Sequence, residues 1–111
     1  MKKELGKIVK AEFGLGGYQE CMFGLSLTFK GPFGDVCDFI SGGWYEGITI
    51  SEYTTWTEED RSLARVKMIK RIDKILTDTK VSSISELKNK PVEVTFENSQ
   101  LKEWRILTEV L

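Results

Sequence analysis

The sequence predicts an α+β domain in which an antiparallel sheet of about five strands carries one long amphipathic helix on one face. Three observations support this fold class. Apolar and polar residues alternate up to residue 41, a capped segment with helical periodicity follows, and alternation returns from residue 92. The order β-β-β-α-β-β, joined by short turns, favours antiparallel pairing because parallel strands need long crossovers. A curled, barrel-like sheet is the alternative arrangement.

The first strand is predicted over residues 5–13 and ends at a glycine-rich run. The side chains expected on one of its faces are Leu5, Val9, Ala11 and Phe13. The run Gly-Leu-Gly-Gly at 14–17 breaks the strand, since glycine tolerates the positive φ angles of a tight reversal. A strand follows this run, whereas a phosphate-binding glycine loop opens a helix, so a hairpin connection is predicted.

The second and third strands are predicted over residues 20–30 and 35–41, around a turn at 31–34. The first of these has the clearest alternation in the chain, with an apolar face of Cys21, Phe23, Leu25, Leu27 and Phe29. In a hairpin, Thr28 lies near Cys37, which places Cys21 roughly 20 Å further along at about 3.3 Å per residue. A disulfide is therefore excluded, and both cysteines are expected to be buried thiols.

A helix is predicted from about residue 58 to 77, after a glycine-bounded loop and a candidate short strand at 48–53. Thr57 is the expected N-cap, and Asp60, three residues later, completes a capping box. The apolar stripe that should pack on the sheet, about 140° wide, contains Ala64, Met68, Ile69, Ile72, Ile75 and Leu76. Arg61 and Arg65 fall in the same sector, while Leu63 and Val66 fall opposite.

The C-terminal part predicts a short helical turn at 83–90, ended by Pro91, and then a hairpin. Its strands are 92–96 and 101–111, with one face of the second strand formed by Trp104, Ile106, Thr108 and Val110. We expect the N- and C-terminal hairpins to share one sheet. The chain has no internal repeat or linker, so residues 1–111 are predicted to form a single domain.

Composition narrows the classes of function. Sixteen basic and seventeen acidic residues give a net charge of −1, so the basic excess typical of duplex-DNA binders is absent. Near-neutrality does not oppose self-association, and a homodimer or higher homo-oligomer is expected. The sequence has no apolar run of the roughly 18 residues that a membrane span requires and no signal-peptide core. A cytoplasmic location is therefore expected.

No catalytic or metal-binding constellation is apparent. The chain contains no histidine, which removes the commonest general base and metal ligand. The carboxylates at 58–60 suit a helix start, and Asp35 and Asp38 should point to opposite faces of a strand. We therefore predict a binding protein without cofactor or metal, not an enzyme.

Three surfaces are candidates for binding, and each also has a purely structural interpretation. They are the loop residues Tyr18 and Gln19, the ring pair Trp44 and Tyr45, and the arginines Arg61 and Arg65, with Trp56 or Trp104 as a stacking face. Arginines four apart can hold a carboxylate or phosphate. The alternative interpretations are that the rings close the end of the core and that the arginines pair with nearby glutamates.

The run Gly-Leu-Gly-Gly-Tyr-Gln at 14–19 and the strand Trp-Arg-Ile-Leu-Thr-Glu-Val at 104–110 resemble a family of small proteins encoded by tailed phages and prophages. The resemblance continues at 24–29, 56–61 and 92–96 and so covers most of the chain. It implies an accessory protein that acts by occupancy in the cytoplasm of an infected or lysogenic bacterium. Such a protein would sequester a nucleotide signal or block a host defence protein. The alternatives are a single-stranded nucleic-acid-binding module and a subunit of a phage assembly.

Overall fold

Alternating apolar residues form five strands, and the capped segment between the third and fourth forms one long helix. The computed structural model describes residues 1–111. The elements are β1 (Lys2–Gly16), β2 (Met22–Gly31), β3 (Gly34–Trp44), α1 (Glu58–Thr79), β4 (Pro91–Glu97) and β5 (Gln100–Ile106). Short 3₁₀ turns lie at Tyr18–Glu20, Ile84–Leu87 and Thr108–Val110. The predicted α+β fold class is confirmed.

All five strands belong to one antiparallel sheet with the order β3-β2-β1-β4-β5. The N-terminal and C-terminal hairpins therefore share one sheet, as predicted, with β1 at its centre. β1 and β2 form the predicted hairpin, but Gly14 and Gly16 are paired residues of β1, so the strand does not end at residue 13 and the connection comprises residues 17–21. Thr28 pairs with Cys37, also as predicted.

A β-bulge in β1 overturns the single apolar face predicted for this strand. Ile8 pairs with Phe29 of β2, and the next paired residue is Lys10, so Val9 is the inserted residue. One extra residue exchanges the two faces of a strand, because side chains alternate with a period of two. Leu5 therefore faces away from the core and is 62% exposed, whereas Ile8 is fully buried.

The core lies between one face of the sheet, α1 and the segment that follows α1. The alternation predicted for β2 holds, since Leu25, Leu27 and Phe29 have no exposed surface. The whole cluster of buried hydrophobic residues comprises Ile8, Leu25, Leu27, Phe29, Ile40, Met68, Ile72, Ile75, Leu87, Val92, Val94 and Ile106.

Helix α1 begins at the predicted capping box and extends two residues past its predicted end. Thr57 Oγ1 accepts from the Asp60 amide, and the Asp60 carboxylate accepts from the Thr57 amide. Met68, Ile72 and Ile75 are buried. Ile69, predicted in the same stripe, is 55% exposed. The prediction was wrong there because Ile69 lies about 100° around the helix from Met68, beyond the face that rests on the sheet.

The sheet curls until its two edge strands approach each other. Five flat strands spaced about 4.8 Å apart would separate β3 from β5 by roughly 19 Å. In the structure, Trp104 Nε1 in β5 donates a hydrogen bond to Asp38 Oδ2 in β3 at 2.7 Å. The fold thus combines the predicted helix-covered sheet with the alternative, curled arrangement, and α1 packs chiefly on β3.

Three local predictions fail. Residues 48–53 form no strand and belong to an irregular loop from residue 45 to residue 57. The last predicted strand ends at Ile106, so Thr108 and Val110 lie in a 3₁₀ turn rather than on a strand face. Cys37 is exposed and Cys21 half-buried, so neither is a fully buried thiol. Cys37 faces outward because β3 places Asp38, not Cys37, on the helix side.

Candidate functional site

The residues predicted to bind a ligand occupy two separate regions. One set, found where β3 ends beside the β1–β2 connection and the first turns of α1, comprises Tyr18, Gln19, Trp44, Tyr45, Arg61 and Arg65. Pairing of Met22 with Trp44 and a 2.9 Å hydrogen bond from the Tyr45 amide to the Cys21 carbonyl hold this set together. Trp104 lies in β5, in the second region. The seven residues therefore do not form one site.

Arg61 is a buried arginine whose guanidinium binds the loop between β3 and α1. Only 3% of the residue is exposed. Its Nη1 donates to the Tyr45 carbonyl at 2.8 Å, and its Nη2 donates to the Ile48 carbonyl at 2.9 Å. Nη2 also meets Glu58 Oε1 at 2.6 Å. The group stacks 4.6 Å from the centre of the Trp56 ring, and its buried Nε has no hydrogen-bond partner.

Arg65, one helical turn after Arg61, also binds the loop between β3 and α1. Its Nη1 donates to Glu46 Oε1 at 2.8 Å, and its Nη2 donates to the Trp44 carbonyl at 3.1 Å. The pairing with glutamates, which was the alternative interpretation of the two arginines, is present at both positions. Both guanidinium groups thus hold the protein's own loop in place.

The loop aromatics differ in how much ring they present to solvent. Tyr18 is 68% exposed. Gln19 beside it is also exposed, and its backbone adopts the left-handed conformation with φ 52°. Trp44 and Tyr45 are half-buried. Tyr45 folds back on its own loop so closely that a side chain at Gly47 would overlap its ring. Tyr18 is therefore the most accessible of the three predicted rings.

Trp104 connects the two edges of the sheet and the helix. Besides its hydrogen bond to Asp38, its ring lies 4.8 Å from the ring centre of Phe29. The guanidinium carbon of Arg71 lies 5.8 Å from the centre of the Trp104 ring, within cation–π range. Trp104 is thus an aromatic wall with a cation from α1 beside it.

A cleft of about 310 Å³ opens between α1 and β5 at this wall. Arg71 and Lys74 line it from α1, and Trp104 and Arg105 line it from β5. The volume lies at the lower end of the range for small-ligand pockets. Smaller clefts of about 280 and 190 Å³ also use Trp104 as a wall. We call the first of these spaces the Trp104 cleft.

The Trp104 cleft corrects one inference from the sequence. Neighbouring strand residues point to opposite faces, which predicts from the sequence alone that Trp104 and Arg105 do not share a pocket. Both line the cleft. The conclusion fails because β5 is an edge strand, and a long arginine side chain can reach around an edge that no further strand covers.

The cations contributed by α1 to the Trp104 cleft have carboxylate partners that they can exchange. Arg71 Nη2 lies 3.6 Å from Asp38 Oδ2, with 52% of the arginine side chain exposed. Lys74 Nζ lies 2.8 Å from Asp78 Oδ2, with 74% of the lysine side chain exposed. Exposed ion pairs of this kind contribute at most about 1 kcal/mol, so an anion in the cleft can compete with them.

Arg105 holds two carboxylates on the other side of the cleft. Nη1 and Nη2 each donate to one oxygen of Glu109 at 3.0 Å, and Nε donates to Glu93 Oε1 at 3.1 Å. The Arg105 hydrogen bonds lower the pKa of Glu109 below its usual range. The hydrogen bonds to Glu109, and then those to Glu93, raise the pKa of Arg105, so its charge is fixed at all relevant pH values.

The sequence did not single out Arg71, Lys74, Arg105 or Asp38 as site residues. Arg71 and Lys74 follow the general preference for cations late in a helix, which hides any further role. The position of Arg71 on the helix could have indicated its role. Arg71 lies about 60° around the helix from Met68, at the border of the buried stripe, and a charged side chain there reaches the edge of the sheet.

The largest cavity, about 570 Å³, lies at the β2–β3 and β4–β5 turns and differs in character from the Trp104 cleft. Its apolar lining includes Phe33 and Phe96, whose ring centres are 5.3 Å apart. Its lysine and acid, Lys2 and Glu4, pair with each other at 3.0 Å. No group of cations converges on this space, so its size alone gives no ligand chemistry.

No protein-family model, curated protein or solved structure matches the chain. No helix in the structure combines the length and the apolarity needed to cross a membrane. No group of three or more cysteine, aspartate or glutamate side chains is placed to hold a metal ion.

Proposed function

We propose that the protein is a non-enzymatic binding protein that holds a small ligand of the nucleotide class in the Trp104 cleft. The observation that carries the proposal is the convergence of an aromatic ring, Trp104, with three cations, Arg71, Lys74 and Arg105, on one space. A nucleotide offers the matching pair of groups, a planar base and an anionic phosphate.

Each lining residue has a distinct task in this proposal. The base stacks on Trp104, whose indole is held in orientation by Asp38 and Phe29. The phosphate takes the place of Asp38 at Arg71 and of Asp78 at Lys74. Arg105, held by Glu109, keeps a fixed positive charge at the other wall.

The biological setting of the proposal comes from the resemblance to phage and prophage proteins. A small protein that binds a nucleotide signal without consuming it removes that signal in proportion to its own concentration. This would suit an anti-defence inhibitor in the cytoplasm of the bacterial host. Stoichiometric action requires tight binding, which arginine and tryptophan side chains are suited to provide.

The test is calorimetric titration with a panel of mononucleotides, cyclic nucleotides and ADP-ribose-type ligands, alongside inorganic phosphate and an uncharged nucleoside. We expect binding by at least one nucleotide that weakens about tenfold or more in Arg71→Gln and in Trp104→Phe. The matched control is Lys67→Gln, which removes an exposed α1 cation outside the cleft. A panel with no binder, or binding unaffected by both cleft variants, contradicts the proposal.

A second candidate, binding of single-stranded nucleic acid, is favoured by one observation. Three separate clefts lie around Trp104, so a strand of several nucleotides would find contacts on more than one side of this ring. Oligonucleotide binding that falls steeply with salt, together with failure of every mononucleotide, would favour this candidate.

A further inference from the structure

An apolar ridge lies on the exposed side of α1, away from the sheet. Leu63, Val66 and Ile69 are 52%, 48% and 55% exposed. They follow one another at intervals of three residues, so their side chains are neighbours along the helix surface. Single exposed apolar residues are ordinary, whereas three adjacent ones on one helix form a patch.

Two charged residues on the same side of α1 have no partner within the chain. Glu59 and Lys70 are both exposed and make no ion pair, unlike Arg61, Arg65, Arg71 and Lys74 of the same helix. They are eleven residues apart, close to three full turns. They therefore lie in line, within about 20° and 40° of Val66 around the helix.

We propose that this face of α1 is a self-complementary interface that binds a second copy of the chain. Two α1 helices pack antiparallel about a two-fold axis that passes between Ala64 and Arg65. Leu63 of each copy then lies opposite Val66 of the other copy at the centre. Glu59 and Lys70 lie about 8 Å on either side of the axis, since the helix rises about 1.5 Å per residue. The two-fold axis therefore sets each Glu59 opposite the Lys70 of the other copy.

Charge complementarity selects a second copy over other occupants. The acidic residue lies in the first turn of α1 and the basic residue three turns later, so antiparallel packing of identical helices satisfies both charges twice. The net charge of −1 leaves no long-range repulsion between copies. One helix pair buries less area than a standard interface, so we expect a weak dimer with Kd on the order of 100 µM.

The interface is separate from the Trp104 cleft. Arg71 and Lys74 line the cleft, whereas Lys70, which lies in line with the ridge, does not. Loss of the dimer should therefore leave nucleotide binding unchanged, and the two proposals can fail independently.

Sedimentation equilibrium from about 10 µM to about 1 mM tests the interface, because this range brackets the expected Kd. We expect a reversible monomer–dimer equilibrium that Val66→Asp abolishes while the circular dichroism spectrum stays unchanged. Glu59→Lys and Lys70→Glu should each weaken the dimer about tenfold, and the double variant should restore it to within about threefold. Lys88→Glu, at an exposed lysine outside α1, is the control and should have no effect.

The charge swap makes the test specific to this geometry. Glu59→Lys also disfavours the helix N-terminus, so its thermal midpoint is measured in parallel, and Lys70→Glu provides the cleaner single variant. A protein that stays monomeric at the highest concentration overturns the proposal. So does a dimer that survives Val66→Asp, or one that the double variant fails to restore.

Discussion

The arginines at the two ends of the contact between α1 and the sheet use the same guanidinium group in opposite ways. At the start of the helix, Arg61 and Arg65 point inward and donate to carbonyl groups of the preceding loop. Beside β5, Arg71 and Arg105 remain about half exposed and pair with carboxylates at the rim of a cleft. The first pair donates chiefly to backbone carbonyls inside the protein, whereas the second pair donates to carboxylates on exposed side chains.

This difference separates arginines that stabilise the fold from arginines that remain available to bind a ligand. A backbone carbonyl cannot leave, so an arginine that binds two of them stabilises the loop and is costly to remove. A carboxylate on an exposed side chain can rotate away, so an arginine that binds it remains available to another anion. The arginine pair that the sequence singled out belongs to the first class, and the cations it passed over belong to the second.

The largest expected effect is the loss of stability in Arg61→Ala. The variant leaves two loop carbonyls without their donor and removes a side chain with almost no exposed surface. We expect a decrease of about 2–4 kcal/mol in the free energy of unfolding. Urea denaturation measures this decrease. The control is Glu58→Gln, which removes only the ion pair between Arg61 and the exposed Glu58 carboxylate and keeps the hydrogen bonds to the loop carbonyls. A decrease below about 1 kcal/mol would show that the loop does not depend on Arg61.

Arg65→Ala should have a smaller effect of the same kind. Its side chain is 28% exposed, and one of its two partners, Glu46, lies largely in solvent. The hydrogen bond to the Trp44 carbonyl accounts for most of the expected loss of about 1 kcal/mol. Glu46→Gln should change the unfolding free energy by less than about 0.5 kcal/mol. Equal decreases in the unfolding free energy of Arg65→Ala and Glu46→Gln would show that the ion pair, and not the hydrogen bond to the Trp44 carbonyl, provides the stability.

Arg71→Gln should separate stability from binding. Because its side chain is half exposed and its contact with Asp38 is long, the free energy of unfolding should change by less than about 0.5 kcal/mol. Nucleotide affinity should nevertheless fall by about tenfold or more. Strong destabilisation by Arg71→Gln would show that Arg71, like Arg61, stabilises the fold, and the contrast between the two regions would be lost.

The smallest effect concerns the titration of Glu109. Its pKa is lowered by the hydrogen bonds from Arg105, so the contact stabilises the fold above the pKa of the unfolded chain. That contribution is lost as the pH falls through the lowered pKa of the folded protein. Carbon-detected NMR titration should find the pKa of Glu109 below its usual range, and Arg105→Gln should return it. A normal pKa in the wild type would mean that Arg105 is free of Glu109 in solution.

The elements that the sequence predicted best are those set by local rules. The capping box at Thr57 and the alternation of β2 depend on residues within a few positions of each other, and both are present. The bulge at Val9 was missed because its cause lies in pairing with a distant strand. The exposure of Ile69 was missed because the sheet supports a narrower stripe than the helix pattern offers.

The candidate site was harder to predict because it depends on the curl of the sheet. The sequence singled out Trp104 because it is a large aromatic residue. Its neighbours in the structure are distant in sequence: Arg71 lies 33 positions earlier and Asp38 lies 66 positions earlier. Only closure of β5 towards β3 brings the three together. Arg61 and Arg65 were recognised as unusual for a buried helix sector. The carbonyl groups that they bind follow from the path of a loop without regular structure, which no periodicity encodes.

The hydrogen bond between Trp104 and Asp38 also bears on how the protein avoids aggregation. Edge strands expose unpaired backbone groups that can recruit strands from other molecules and so start fibrils. Here the two edge strands approach each other, and Arg71 and Trp104 line the space between them. A foreign strand would have to displace these side chains before it could pair with β3 from this side. The approach of the two edge strands thus protects the molecule against uncontrolled strand addition.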